Sequence, residues 1–261
     1  MRRSRVQAKI RAGEAVRICG LGHFIPPFIR HAAHHGYDAI WLDLEHRAMD
    51  SREIQALLAF FHLFDIDCML RPPHVSKTQL YRYLEDGATG LMIPHVSTRE
   101  MAEDLVQSVK FPPLGNRGLD GAGLDSDFIF AGGPDFAEKA NRETFLVVQI
   151  ETLEAVRNVD EIAAVDGIDG LFVGPGDLGL RLRQDDPPQM TLEEARKQVA
   201  EAAARHGKQW GQPAGTKEML QTLYDEGARL LSHGSDFGGM MKILDESCGN
   251  FDSVCGPRSG D

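Results

Sequence analysis

Four short apolar runs of this chain each end in polar residues of reactive type. One ends in Asp43-Leu44-Glu45-His46-Arg47, one in Arg71, one in Gln149-Ile150-Glu151 and one in Gly174-Pro175-Gly176-Asp177. Glu151 and Asp177 are oxygen donors of the kind a hard divalent cation takes, since Mg²⁺ commonly keeps one or two protein carboxylates and fills its shell with water and substrate. Read singly, Glu151 is a first-turn helix acid and Asp177 a turn residue; read together, with Gln149 alongside, they form a metal pair. Arg71 suits a carboxylate or a developing enolate oxygen, against the plainer role of ion-pair partner to Asp43 or Glu45. His46 has the titration range needed for proton transfer near neutrality, and Asp43, three residues earlier, could orient it. Gly174-Pro175-Gly176 is a weak anion-loop signal by itself, yet its backbone N–H groups could hold a small carboxylate beside the metal.

Rival chemistries fit less well. His31, His34 and His35 share one helical face at a spacing that can bind zinc, but they fall on the first outer helix, away from the polar strand ends. A zinc hydrolase barrel also wants an H-x-H after its first strand, where Gly20-Leu21-Gly22-His23 offers one histidine. There is no G-x-S-x-G motif, and none of Cys19, Cys68, Cys248 and Cys255 has an evident histidine partner. The eight lysines lie on predicted helices, in loops or at strand starts. A buried Schiff-base lysine is therefore not available, and a metal must stabilise any carbanion.

The elements that position these residues alternate between short β-branched apolar runs and longer amphipathic ones, the pattern of βα units around a parallel sheet. Eight strands are predicted, at Val16–Gly20, Ala39–Leu44, Asp67–Arg71, Gly90–Pro94, Phe145–Glu151, Asp169–Gly174, Lys208–Gln212 and Arg229–His233. Eight closes a (β/α)8 barrel, whose active sites collect at the C-terminal strand ends. Helices are predicted over Ser51–Phe64, Ser76–Asp86, Thr98–Val109, Thr152–Ala164, Thr191–His206, Thr216–Glu226 and Ser235–Glu246. Pro112–Pro134, with six glycines and three prolines, reads as a long loop after strand four on the catalytic face. One barrel domain over 1–247 and a frayed tail over 248–261 complete the expected layout.

Net charge −11 and a pI near 5.4 leave no basic field for nucleic acid. An anionic substrate must then be met by local positive charge, from a metal or a placed arginine. Val6 to Gly20 is broken by charges, so no signal-peptide core follows the basic start, and no run approaches a membrane span. With no C-x-x-C pair, the cysteines read as reduced thiols and the cytoplasm as the compartment.

These motifs together resemble the class II, metal-dependent pyruvate aldolases of the 4-hydroxy-2-oxoheptanedioate aldolase type (the HpcH/HpaI aldolases), which include the 2-dehydro-3-deoxyglucarate and 2-keto-3-deoxyrhamnonate aldolases. The resemblance runs from about Gly13 to Asp245. It rests on Gly36-Tyr37-Asp38 leading to Leu42–His46, Arg71-Pro72, Gly115-Asn116-Arg117-Gly118, Gln149–Thr152 and Val165–Leu178. It implies an α/β (β/α)8 TIM barrel of the phosphoenolpyruvate/pyruvate-binding type. It further implies Mg²⁺, Mn²⁺ or Co²⁺ on Glu151 and Asp177, chelating the carboxylate and keto oxygens of pyruvate. Arg71 would stabilise the enolate, with Gln149, Gly174, Pro175 and Gly176 framing the substrate. His46 and Asp43 would form the proton-handling dyad, with Asp86 as a supporting acid. The reaction implied is reversible cleavage of a 4-hydroxy-2-oxo acid to pyruvate and an aldehyde through a metal-stabilised enolate, in a homohexamer of dimers that exchange the last helix.

Three departures bear on the aldehyde. Arg47 replaces the glycine usual after the Glu-His pair, Arg30 stands near a common glutamate, and Leu119–Asp127 lacks the usual arginines and alanines. An extra cation at Arg47 would favour an acidic acceptor or simply neutralise Glu45. The alternatives are a CoA-linked citryl or malyl lyase, which needs a CoA-sized site, and a catalytically silent metabolite-binding barrel, which would have lost His46 and Arg71.

Overall fold

The computed structural model describes residues 2–184 and 189–256. Its centre is a closed barrel of eight strands in chain order: β1 (Val16–Leu21), β2 (Ala39–Asp43), β3 (Asp67–Arg71), β4 (Gly90–Ile93), β5 (Phe145–Ile150), β6 (Gly170–Val173), β7 (Gln209–Pro213) and β8 (Leu230–Ser235). Every pairing is parallel, and β1 closes the ring against β8. Strands so enclosed are buried on both faces, which is why Cys68-Met69-Leu70 and Phe145–Val148 are unbroken apolar runs.

Side chains still alternate across each strand. Val16, Ile18, Ala39, Met69, Met92, Phe145, Val147, Phe172 and Leu230 fill the barrel interior. Their neighbours Leu42, Leu70, Leu91, Val148 and Leu171 face the outer helices. The same two-residue period carries the interior face from Ala39 through Trp41 to Asp43, from Met69 to Arg71, and from Val147 through Gln149 to Glu151. Asp43 and Arg71 are direct partners in the β2–β3 register. One periodicity therefore builds the core and aims the polar residues at the mouth.

Helices α1 (Arg5–Ala12), α2 (Pro26–His34), α3 (Ser51–Leu63), α4 (Lys77–Glu85), α5 (Arg99–Val109), α6 (Phe136–Glu143), α7 (Leu153–Arg157), α8 (Val159–Ala163), α9 (Pro175–Leu182), α10 (Leu192–Arg205), α11 (Lys217–Asp225) and α12 (Asp236–Cys255) surround the barrel or flank it. Capping boxes start α3 (Asp50 with Glu53) and α10 (Thr191 with Glu194). Among the described residues no helix is long and apolar enough to cross a membrane.

Besides adding α6 and α9, the structure departs from the sequence expectations in four places. An unanticipated α1 closes the lower end of the barrel: Val6 joins the interior core. Asp67 there accepts bonds from Ser4 Oγ at 2.6 Å and Val6 N at 2.8 Å. The helix expected over Thr152–Ala164 is broken at Asn158, whose amide donates to Ser97 O at 2.9 Å. Pro112–Pro134 is not on the catalytic face. It follows α5, so it is a helix-to-strand connection at the opposite end of the barrel, tied by a buried Arg117–Asp125 ion pair of 2.7 Å and by Gly123 packed against the Glu85 carbonyl. Finally, the chain stays helical to Cys255, through the segment expected to fray from 248; residues 257–261 lie outside the described residues.

Beyond Asp236 every described residue of α12 is exposed, among them Phe237, Ile243, Leu244 and Phe251. A groove of ≈ 880 Å³ runs between α2 and α11, lined by Phe28, Ala32, Tyr37, Leu220, Tyr224 and Leu231. A barrel whose last helix lay back on its own wall would fill that groove; here the helix projects and the groove is open.

Candidate active site

Arg71 ends β3 and is buried at the mouth. Its guanidinium clamps Asp43 with both Nε to Oδ1 (3.0 Å) and Nη2 to Oδ2 (2.9 Å). Nη1 lies 2.9 Å from Glu45 Oε2 and donates to Gln149 Oε1 at 3.3 Å. The planar group also stacks 4.6 Å from the Trp41 ring centroid. A side chain with four anchors has little freedom left, so the ion-pair role and a fixed catalytic donor are compatible. The pairs hold the guanidinium in one place.

Glu151 is nearly inaccessible, with 3% of its side chain exposed. Its Oε1 accepts the His95 main-chain N–H at 2.8 Å and faces His95 Nδ1 at 2.9 Å. His95 reaches this position in a left-handed backbone (φ 57) just past β4, and its Nε2 lies 3.3 Å from Glu45 Oε1. Burial pushes the Glu151 carboxyl above its ordinary range; His95 opposes the shift, and the Glu45 and Asp177 charges add to it. A carboxylate so placed gains from a cation. Asp177, in the first turn of α9, is partly exposed and bonded to Arg181 Nη1 at 2.9 Å. Glu151 and Asp177 thus offer the hard oxygen donors that a divalent ion takes.

Gly174 has to be glycine: a Cβ there would come 2.4 Å from Glu151 Oε2 and 2.9 Å from its Cβ. Pro175 opens α9, and above Gly176 the space is clear. The first-turn N–H groups have no partner within the helix and can meet an anion. Gly174→Ala should leave the barrel folded but displace the Glu151 carboxylate. A modest fall in melting temperature, since the clash reaches the Glu151 Cβ, with a much larger loss of Mn²⁺ binding by calorimetry, is the expected result.

The remaining expected residues divide. His46 stands exposed on the rim, its Nε2 3.7 Å from Glu45 Oε2. Asp43 does not meet that imidazole; its carboxylate serves Arg71 and accepts the main-chain N–H groups of Glu45 (3.1 Å) and His46 (3.4 Å). It shapes the turn that carries His46 rather than orienting the ring. Asp86 is not at the mouth: it caps α4 and accepts from Gln55 Nε2 at 3.0 Å, in a cleft between α3 and α4. A helix after β3 runs back toward the lower end, so its C-cap cannot join the strand ends.

Glu45 takes the expected place as an ion-pair partner of Arg71, whereas His95 is a member of the site that the sequence reading missed. His95 had a signal, its position directly after a strand; its left-handed backbone had none. None of the eight lysines lies on a strand. Cys19 and Cys68 are buried thiols pushed up, Cys19 to about 12, so they are inert. His31 and His35 line the outer groove, away from the mouth.

The family described as HpcH/HpaI aldolase/citrate lyase matches residues 22–242. A hydroxypyruvate/pyruvate aldolase of Pseudomonas aeruginosa is 30% identical over 253 residues, which cover 95% of this chain and 92% of that one. A 4-hydroxy-2-oxovalerate aldolase of Novosphingobium aromaticivorans is 34% identical, covering 81% and 80%. Among solved structures, an HpcH/HpaI aldolase from Desulfitobacterium hafniense DCB-2 superposes with a TM-score of 0.89 at 28% identity, over 98% of this chain and 99% of that one.

Proposed function

The chain belongs to the HpcH/HpaI aldolase/citrate lyase family, and we propose from that premise how it works as a carbon–carbon lyase: it reversibly cleaves a 4-hydroxy-2-oxo acid to pyruvate and an aldehyde. The observation that carries this reading is the pairing, at one barrel mouth, of a buried and fully anchored guanidinium with a buried carboxylate burdened by two like charges. The first meets negative charge on oxygen; the second calls for a cation.

Glu151 and Asp177 would hold a divalent ion, Mg²⁺, Mn²⁺ or Co²⁺. Once bound, it supplies Lewis acidity toward the keto and carboxylate oxygens of the 2-oxo acid. The chain's own residues do the rest. First-turn N–H groups of α9, with Gly174, Pro175 and Gly176 around them, receive the substrate carboxylate, and Gln149 frames the keto group while fixing Arg71. A base at the rim takes the C4 hydroxyl proton, the C3–C4 bond breaks, and its electron pair passes to C3–C2 as the C2 oxygen gains charge. Arg71 donates to that oxygen. Reprotonation at C3 gives pyruvate.

His46 is the rim base in this scheme, held on the turn that Asp43 organises. His46→Ala should slow cleavage by about 10²–10⁴ while leaving proton exchange at C3 of pyruvate much less affected. Equal losses in both assays would assign His46 to site structure instead. A metal-supplemented screen of pyruvate against a panel of aldehydes tests the reaction itself.

The exposed α12 and the open groove between α2 and α11 support exchange of the last helix between two copies; the assembly we infer from the family resemblance is a hexamer, a trimer of such dimers, working in the cytoplasm. Replacing Ile243 and Leu244 on α12 by glutamate should shift the protein to smaller species in sedimentation velocity. An unchanged sedimentation coefficient would reject the exchange.

A further inference from the structure

Arg47 is the mouth cation that the reaction scheme leaves unused. It does not neutralise Glu45: that carboxylate is taken by Arg71 Nη1 at 2.9 Å and His95 Nε2 at 3.3 Å. Among the described residues Arg47 makes no ion pair, whereas Arg71 and Arg181 at the same mouth are each bound to carboxylates. It is exposed, but its side chain is held at two points. Nη1 donates to His46 O at 2.7 Å, and the side chain lies in a notch that exists because residue 22 is glycine. A Cβ at Gly22 would come within 3.0 Å of Arg47 Nε, 3.1 Å of Cγ and 3.2 Å of Cδ.

The loop that provides the notch is itself pinned. Buried Asp236 accepts the main-chain N–H groups of Gly22 (3.2 Å) and His23 (3.0 Å) and lies 2.7 Å from His23 Nδ1. His23 stacks on Phe237. Of the carboxylates that follow it, Asp50 and Glu53 each hold the other's main-chain N–H in the capping box of α3, and neither forms an ion pair with Arg47. Arg47 is thus a cation with no ion-pair partner among the described residues, one residue beyond His46, in a protein of net charge −11. An anion gains there from an arginine that needs no reordering to meet it.

We propose that Arg47, seated against Gly22, is the acceptor-side specificity residue: it selects aldehydes that carry a second, anionic group beyond the reacting carbon. The inference rests on the aldol reading above and deepens it. Pyruvate, the donor, is handled on the Arg71 and Glu151 side; the aldehyde projects past His46 toward Arg47. Carboxylate and phosphate share the required chemistry.

The test measures condensation with pyruvate for two matched pairs, 4-oxobutanoate against butanal and glyceraldehyde 3-phosphate against glyceraldehyde, with pyruvate C3 proton exchange followed separately. Wild-type enzyme should favour at least one anionic member in kcat/KM. Arg47→Ala should lower that member by roughly tenfold to a hundredfold, the effect of losing a charge-assisted contact, and leave the neutral aldehydes and the exchange rate unchanged. Arg47→Gln, which keeps most of the volume, should behave likewise if the alanine variant folds poorly. Gly22→Ala keeps the charge but closes the notch, and should give an intermediate loss. Which pair responds identifies the anion. An anionic preference that survives both Arg47 variants, or equal losses on neutral and anionic aldehydes, overturns the proposal. Absence of exchange in the wild type would instead overturn the aldol reading.

Discussion

Arg71→Ala should lower both aldol cleavage and pyruvate proton exchange by about 10²–10³, or ~3–4 kcal/mol, because a single preorganised donor to a developing oxyanion contributes on that order. The two rates should fall together, since both pass through the enolate. The structure adds a consequence for folding. Removing the guanidinium leaves Asp43 and Glu45 without their common partner, and breaking a buried pair typically costs about 3–5 kcal/mol. Melting temperature and metal content must therefore be measured beside the rates. Arg71→Lys separates charge from geometry: one ammonium cannot reach Asp43, Glu45 and Gln149 as the planar fork does, so stability should recover more than rate. A folded, metal-binding alanine variant with wild-type exchange would leave Arg71 as an ion-pair partner only.

Glu151→Gln should abolish turnover and Mn²⁺ binding while making the metal-free protein more stable near neutral pH. The signs follow from the raised carboxyl of Glu151. An acid whose folded value lies above its unfolded value contributes stability that is present below the unfolded value and lost as pH rises through the folded one. At neutral pH the buried anion beside Glu45 and Asp177 is thus a burden, and an amide of the same shape relieves it. Below the ordinary glutamate range the two proteins should melt alike. In the wild type, proton and cation compete for the same oxygens, so metal affinity should weaken as pH falls. Asp177→Asn should weaken binding less, its carboxylate being more exposed and shared with Arg181. Full turnover in the presence of a strong chelator, or a borohydride-trapped pyruvate adduct on a lysine, would reject the metal mechanism.

The barrel and most of its mouth were legible in the sequence because the signals are local. Unbroken apolar runs announce strands buried on both faces, and a two-residue period tells which of their terminal residues face inward, so the chain alone puts Arg71, Gln149 and Glu151 at the mouth. The beginnings of α3 and α10 were legible for the same reason, as each capping box spans four consecutive residues. Even the position of Pro112–Pro134 is implied by local signals, since the helix over Thr98–Val109 returns the chain from the end of β4 to the lower end before that segment begins.

What only the tertiary structure decided are the choices among partners far apart in sequence. Asp43 had His46 three residues away and Arg71 on the next strand; barrel closure brings Arg71 into register, and its fork outcompetes the neighbouring ring. His95 joins Glu45 to Glu151 through a backbone turn that no residue type announces. The charge of Arg47 was plain in the chain, but its freedom was not, because that depends on Arg71 having already satisfied Glu45 and on a glycine one strand away leaving room. Helix α12 is the same case at larger scale: its helical character is local, but that it projects from the barrel with its apolar residues exposed is seen only in the folded chain. Local periodicity determines what each segment is, whereas competition among distant groups for the same charge and space determines whom it meets.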